Sequence, residues 1–275
     1  MKPARFDYQR AESAAEACEA LAELGGDARV LAGGQSLVPM LNMRLAQPRL
    51  LVDISRIEAL QKIERSGGRL LVGAGARQAA LLSHDGLAEA APLLAAALPW
   101  VGHAQTRARG TVCGSLAHAD PSAELPTCLL ALQGAVRLRS SRRHRELPAE
   151  AFLAGLMSTA REDDELVEAA AFPLRRAGEG QAFREFGRRH GDFAIVGAAA
   201  VVSAQRIRLA VGGVADRPMA RDWPALEGSA LDDALNAFAW ELGARDDLHA
   251  SARLRRDLVR ALGREAIEEA RRCRA

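Results

Sequence analysis

The chain has 275 residues, 49% of them hydrophobic but only 4% aromatic, so its core must be built mostly from alanine, leucine and valine. Lys and Arg total 37 against 35 Asp and Glu, and the net charge of +2 is too small to mark the clustered basic footprint of a nucleic-acid binder. No apolar run reaches the ~18 residues of a membrane span, and the N-terminal MKPARFDYQRAES lacks the apolar centre of a secretory signal.

A soluble, cytoplasmic chain of two or three small lobes is therefore expected. Cys18, Cys113, Cys128 and Cys273 form no C-x-x-C pair, and the six histidines form no H-E-x-x-H. Neither an iron–sulfur cluster nor a zinc site is indicated, and no metal is expected in this chain.

Residues 12–24 carry helical periodicity, with Ala14, Ala17, Leu21 and Leu24 on one face and Gly25-Gly26 as the stop. ARVLAGG reads as a short strand entering a glycine turn. Ser36 is placed to cap a core helix containing Leu37, Met40, Leu41 and Leu45, which Pro48 ends. RLLVDIS is a second strand, so a small parallel β-α-β unit is expected. LQKIERSGGRLLVGAGA reads as a hairpin through Ser66-Gly67-Gly68, followed by helical runs at 77–83 and 86–98. Residues 100–125 have little periodicity and read as a long ordered loop, with the apolar helix LPTCLLAL after it. Strands are expected at 134–140 and 165–172. After LRRAGEGQ, the segments AFREFGRRH, AIVGAAAVVSA and RIRLAVGGV suit an antiparallel sheet, and helices at 230–243 and 250–273 close the chain. The pattern is α+β in three lobes, at 1–57, 58–176 and 177–275.

Several motifs could carry chemistry. VGAGARQAA imitates a dinucleotide fingerprint, but Gln78 occupies the third glycine position and no acidic residue follows at the required distance, so it reads as a strand leaving a hairpin. No G-x-S-x-G elbow is present, and Cys113 with His103 or His118 lacks an assignable orienting group. Two glycine clusters remain, Ala32-Gly33-Gly34-Gln35-Ser36 and Thr111-Val112-Cys113-Gly114-Ser115. Small residues let backbone approach a ligand, and successive N–H groups beside a helix start can face an anion. Each cluster is equally compatible with an ordinary glycine turn. Asp120 and Glu124, in HADPSAEL, are either helix-capping carboxylates or acceptors for nucleotide hydroxyls.

Taken together, LAGGQSLVPMLNMRL with LVDIS, TRARGTVCGSLAHADPSAELP, MSTAREDDELVEAAAFP, RRHGDFAIVGAAA and LAVGGVADRPMA resemble the FAD-binding medium subunits of molybdenum hydroxylases, over essentially the whole chain. That family includes the carbon monoxide dehydrogenase medium chain and the flavin domain of xanthine dehydrogenase. The resemblance implies a two-lobed FAD-binding domain of the vanillyl-alcohol oxidase (PCMH) type, with a C-terminal lobe of antiparallel sheet and helices.

It further implies that 32–36 and 111–115 bind the FAD pyrophosphate from the two lobes. Glu124 stands in the place of the family's acidic FAD contact, usually Asp, and Asp192 and Phe193 fall in the segment that approaches the flavin ring. Cys113 replaces the first glycine of the family's T-[IVL]-G-G-[SN] loop, which predicts an ordinary φ there and a side chain beside the FAD. Arg188-Arg189-His190 stands where a Lys is common. The implied function is electron transfer, from [2Fe-2S] clusters of a small partner, through FAD, to an external acceptor. A large partner would bind molybdopterin, and a dimer of heterotrimers is implied. No residue of this chain is expected to act as acid, base or nucleophile. A self-sufficient flavin oxidase of the same fold and a flavin-free assembly scaffold are the alternatives. Substrate and acceptor are not legible.

Overall fold

The computed structural model describes residues 2–274. The first sheet is parallel. Strand β1 (Asp7–Arg10) leads to helix α1 (Ala14–Leu24), then β2 (Ala28–Leu31), α2 (Leu37–Asn42) and β3 (Leu50–Asp53), with β3 between the other two. Ser13 caps α1 by accepting from the Glu16 N–H, and α1 buries Ala14, Ala17, Cys18, Ala20 and Leu21. The expected β-α-β unit is present; β1 was not foreseen, because Asp7 to Arg10 is polar and mostly exposed.

Two expectations for α2 fail. Ser36 precedes the helix but makes no side-chain capping bond. Of the four supposed core residues only Leu41 is buried, and Leu45 is 70% exposed. The helix lies over the glycine turn with one residue directed inward, so an all-apolar stretch leaves most of its side chains outside the core.

The second sheet is antiparallel, in the order β4-β5-β10-β6-β7. Its strands are β4 (Ile63–Ser66), β5 (Arg69–Gly73), β6 (Ala135–Arg139), β7 (His144–Pro148) and, after the small β8 (Leu153–Gly155) and β9 (Ser158–Thr159) pair, β10 (Leu166–Pro173). Between β5 and β6 the chain forms α3 (Gln78–Leu82), α4 (Leu87–Ala90), α5 (Pro92–Ala97), α6 (Ala104–Arg107), α7 (Val112–His118) and α8 (Glu124–Ala131). The segment read as a long loop at 100–125 therefore contains α6 and α7. Their runs are too short to display a 3.6-residue period, and α7 is small-residue-rich with Gly114 inside it. Helix α9 (Ala149–Phe152) follows β7.

The last sheet is a meander, β11 (Gly180–Phe186), β12 (Val196–Val202), β13 (Arg206–Gly212) and β14 (Met219–Pro224), followed by α10 (Gly228–Glu241) and α11 (Ala252–Arg272). Alternation along β11 divides its two faces. Phe183 joins the large core shared with the first two sheets, while Ala182 joins the core beneath α10 and α11. Through the first of these faces the meander packs on α5 and α8, with β11 against α5 and with β12 and β13 against α8.

Candidate functional site

A cleft of about 880 Å³ runs between the glycine loop after β2, the start of α7, the start of α8 and the segment 191–193 before β12. Every candidate of the sequence lines it: Ala32 through Ser36, Thr111, Cys113, Gly114, Ser115, Asp120, Glu124, Asp192 and Phe193. The volume falls at the upper end of the range for ligand pockets.

The two glycine clusters touch. A Cβ on Gly33 would stand 2.3 Å from the Arg109 carbonyl oxygen and 2.7 Å from the Gly110 Cα. Only a glycine lets the loop after β2 lie flat against the backbone that leads into α7. Gly34 has φ +70°, the left-handed conformation that turns the chain into α2. Beyond it, Val38 N–H returns to the Gly34 carbonyl at 3.0 Å, and the Gln35 side chain donates to the Gly33 carbonyl at 3.2 Å.

Among the described residues, the N–H groups of Gly33, Gly34, Gln35 and Ser36 have no hydrogen-bond partner, and neither has that of Cys113 in the first turn of α7. A run of free amides at the start of a helix, lining a cleft, is the arrangement that receives an anion. Gly114 is a different case. Its N–H already donates to Thr111 Oγ1 at 3.0 Å, so that amide caps α7 rather than facing a ligand.

Cys113 adopts helical backbone, as its replacement of a glycine predicted, and is not among the residues of positive φ. The expectation that its side chain sits in the cleft fails. The thiol donates to the Val72 carbonyl at 3.3 Å, and burial pushes it up to about 12, so it is an inert packing group.

Glu124 is the first residue of α8 and is 93% buried by its 7% exposure. Burial, with the Asp120 carboxylate beside it, pushes its carboxyl up to about 7, while Arg107 opposes the shift. Asp120 accepts from the Ser122 N–H at 2.8 Å and so shapes the turn into α8. Behind Glu124 stands a residue the sequence reading passed over. Glu185, on β11, is buried with an unpartnered Oε2, and burial together with Glu124 pushes it up to about 9.

Desolvation is the largest cause of both shifts, and the charge of each carboxylate disfavours ionisation of its neighbour. Both stand above their unfolded values, so folding binds protons there. Their stabilising contribution is full below the unfolded value and is lost as pH rises through the folded ones. The ligand-free chain is expected to lose about 3 °C or more of Tm between about pH 5 and about pH 9 relative to Glu185→Gln, which has no proton to lose. Parallel Tm curves for the two proteins would remove the buried pair from the account.

Two arginines of the wall were also missed, whereas the segment with Asp192 and Phe193 was expected there. Arg29 and Arg161 line the cleft, each clamped by backbone carbonyls: Gly26 at 2.7 Å for Arg29, Glu162 at 2.7 Å and Glu165 at 2.8 Å for Arg161. Burial and the Arg29 charge hold Arg161 below the usual guanidinium value. The segment 190–193 is seated on the turn between α5 and α6 by His190 against Trp100, with ring centroids 5.1 Å apart, and by Gly191, whose φ of +86° and lack of a Cβ let it pass the His103 ring. Phe193 remains 66% exposed at the mouth of the cleft.

Residues 4–175 match the family described as the FAD binding domain in molybdopterin dehydrogenase, and residues 181–270 match the CO dehydrogenase flavoprotein C-terminal domain. The chain belongs to the FAD-binding medium-subunit family of the molybdenum hydroxylases. As such a medium subunit it is 36% identical over 284 residues to the nicotine 6-hydroxylase medium subunit of Paenarthrobacter nicotinovorans, covering 98% of this chain and 99% of that one. It is 44% identical to the 6-hydroxypseudooxynicotine dehydrogenase complex subunit alpha of the same organism, over 74% of this chain and 69% of that one. Among solved structures it superposes on the reconstituted CO dehydrogenase from Oligotropha carboxidovorans with a TM-score of 0.95 at 32% identity, covering 100% of both chains. The medium subunit is thus part of an oxidoreductase and FAD is its cofactor. None of its described helices is long and apolar enough to cross a membrane.

Proposed function

We propose that this chain holds FAD as the electron-transfer component of a cytoplasmic molybdenum hydroxylase, with a large molybdopterin-binding partner and a small [2Fe-2S] partner in a dimer of heterotrimers. The observation that carries the proposal is the run of free amides from Gly33 to Ser36, joined by Cys113, on the wall of a dinucleotide-sized cleft. Those donors suit a pyrophosphate in number and in kind. When bound, FAD supplies the chemistry that links one-electron iron–sulfur donors to an external acceptor.

The chain's own residues then have positioning roles. The glycine loop and the first turn of α7 bind the diphosphate, and the hydroxyls of Ser36, Thr111 and Ser115 add donors. Asp120 and Glu124 accept from sugar hydroxyls. Arg29 and Arg161 line the same cleft and would offer it positive charge. Asp192 and Phe193 border the ring and limit access of water to it. The three lobes, at 1–57, 58–176 and 177–275, contribute the glycine loop, the α7–α8 wall and the 191–193 segment respectively.

The purified chain is expected to be yellow, or to become so on reconstitution, with one FAD per chain released on denaturation. A folded chain that takes up no FAD would overturn the proposal.

A further inference from the structure

Helix α2 and the turn after it present their apolar side chains to solvent. Val38 is 42% exposed, Met43 52% and Leu45 70%. The backbone holds them there: the Met43 N–H donates to the Pro39 carbonyl at 2.9 Å, and the Leu45 N–H to the Met40 carbonyl at 2.9 Å. Beside α2 lies a second hollow, of about 550 Å³, which Val38 and Pro39 line together with Asp53, Arg77 and Arg109. Tyr8, also exposed, adds an aromatic ring to its rim by donating its hydroxyl to Asp53 at 2.6 Å.

This face differs from the other exposed apolar residues. Trp240 has the Arg256 guanidinium 4.0 Å from its ring, and Leu248 is the single large apolar residue exposed in the loop between α10 and α11. Tyr8, Val38, Met43 and Leu45 instead follow one helix and the rim of one hollow. A grouped patch that contains Met, Tyr and Arg has the composition of a protein interface. The hollow and the FAD cleft have Ala32 to Gln35 and Thr111 in common, and α2 reaches the cleft through Leu37 and Met40. A protein seated on α2 therefore touches the loop that borders the cofactor.

Charge and the direction of electron flow select the occupant. Arg77 and Arg109 are exposed, and among the described residues neither pairs with a carboxylate. Asp53 is the one acid in the lining, and it is engaged by Tyr8 and by the Ser55 N–H at 2.8 Å. The rim thus suits a partner of negative charge. In a [2Fe-2S] site the thiolates and sulfides outweigh the irons, so the site is negative. A second copy of this chain would bring the same arginines against these in an isologous contact. A molybdopterin partner passes its electrons on through the clusters and needs no seat beside FAD, whereas the direct donor does. We infer that the outer face of α2, with the hollow beside it, is the docking surface for the [2Fe-2S] partner. This inference rests on the iron–sulfur partner proposed above.

The test uses the complex purified through a tag on this chain, and reads iron, molybdenum and FAD per chain. The variants are Met43→Glu, Leu45→Glu and Arg77→Glu, with Leu248→Glu as the control on the C-terminal lobe. A charge set into the apolar contact is expected to lower partner affinity by about 10-fold or more, read as iron retained after gel filtration in dilute solution, with FAD per chain at the parental value. Arg77→Glu is expected to lose more iron at low salt than at high salt. Leu248→Glu is expected to keep both iron and FAD. Iron retained in the three α2-side variants would overturn the inference, as would equal loss of iron in Leu248→Glu. Loss of molybdenum with iron kept would assign the face to the molybdopterin partner, and an isolated chain that changes from dimer to monomer in Leu45→Glu would assign it to a second copy; either result overturns the inference. Loss of FAD together with iron would show damage to the glycine loop and overturn it as well. A parent complex without iron would instead defeat the iron–sulfur partner itself, so the two failures are distinguishable.

Discussion

Gly33→Ala is expected to weaken FAD binding by about 100-fold. The added Cβ would lie 2.3 Å from the Arg109 carbonyl oxygen and 2.7 Å from the Gly110 Cα, both backbone atoms that no rotamer change can move. The two loops must separate, and the amides of 33–36 then leave the position at which Cys113 N–H complements them. Overpacking of this kind costs up to ~3 kcal/mol, which corresponds to a loss of about 100-fold in affinity when it falls on a binding loop. FAD affinity within a few-fold of the parent, measured by quenching of flavin fluorescence, would show that contact between the loops is not what forms the site. The structure singles out Gly33 for this test over Gly34 and Gly114. Gly34 requires its positive φ, so a substitution strains the turn before any ligand is present. A Cβ on Gly114 would meet Thr111 Oγ1 at 2.6 Å and disturb the cap of α7. Loss of binding in either of those variants would report on folding as much as on the diphosphate.

Gly191→Ala is the second large effect. Here φ is +86°, and a Cβ would approach His103 Cε1 to 2.6 Å and the Gly102 carbonyl oxygen to 2.9 Å. The backbone strain alone is about 1–2 kcal/mol, and its relief lifts the 190–193 segment from Gly102 and His103. Asp192 and Phe193 are carried with it. FAD affinity is expected to fall by about 10-fold while ADP affinity stays at the parental value, because the amide run at 33–36 is untouched. A flavin bound by Gly191→Ala is also expected to be more accessible to a soluble quencher such as iodide. If ADP affinity falls in step with that of FAD, the segment supports the whole cleft rather than the ring. Gly33 and Gly191 thus separate the two halves of the site: one substitution affects both probes, the other only one.

Much of this architecture is legible in the linear chain. ARVLAGG, RLLVDIS and RLLVGAGA are apolar runs bounded by glycine or proline, and they became β2, β3 and β5. The meander was visible in three consecutive apolar strands, which pair in register as β11 to β13. What failed did so for identifiable reasons. Helix α2 is apolar all round, and periodicity cannot say which side of such a helix meets the core. Helices α6 and α7 are only one or two turns long, below the length at which a period can be read. Strands β1, β7 and β14 alternate too many exposed polar residues to stand out as strands.

The candidate site divides along the same line. The residues that the chain places close together in sequence, Ala32 to Ser36 and Thr111 to Ser115, were found because their composition carries meaning by itself: glycine permits close approach and small hydroxyl residues donate. Their pairing, and Asp192 and Phe193 with them, entered through resemblance to a family. Which of their amides are free was decided by tertiary structure. Gly114 N–H is taken by Thr111, whereas Gly33 to Ser36 are left open. The direction of Cys113, turned to Val72, was equally invisible.

Glu185, Arg29 and Arg161 were not picked out as site residues from the sequence. Each matters through a neighbour supplied by another element: Glu124 for Glu185, Gly26 for Arg29 and the 162–165 turn for Arg161. The sequence by itself determined the backbone that can approach an anion, because that property belongs to single residues. Only the tertiary structure decided which polar atoms are left without partners, because satisfaction of a hydrogen bond depends on both of its ends.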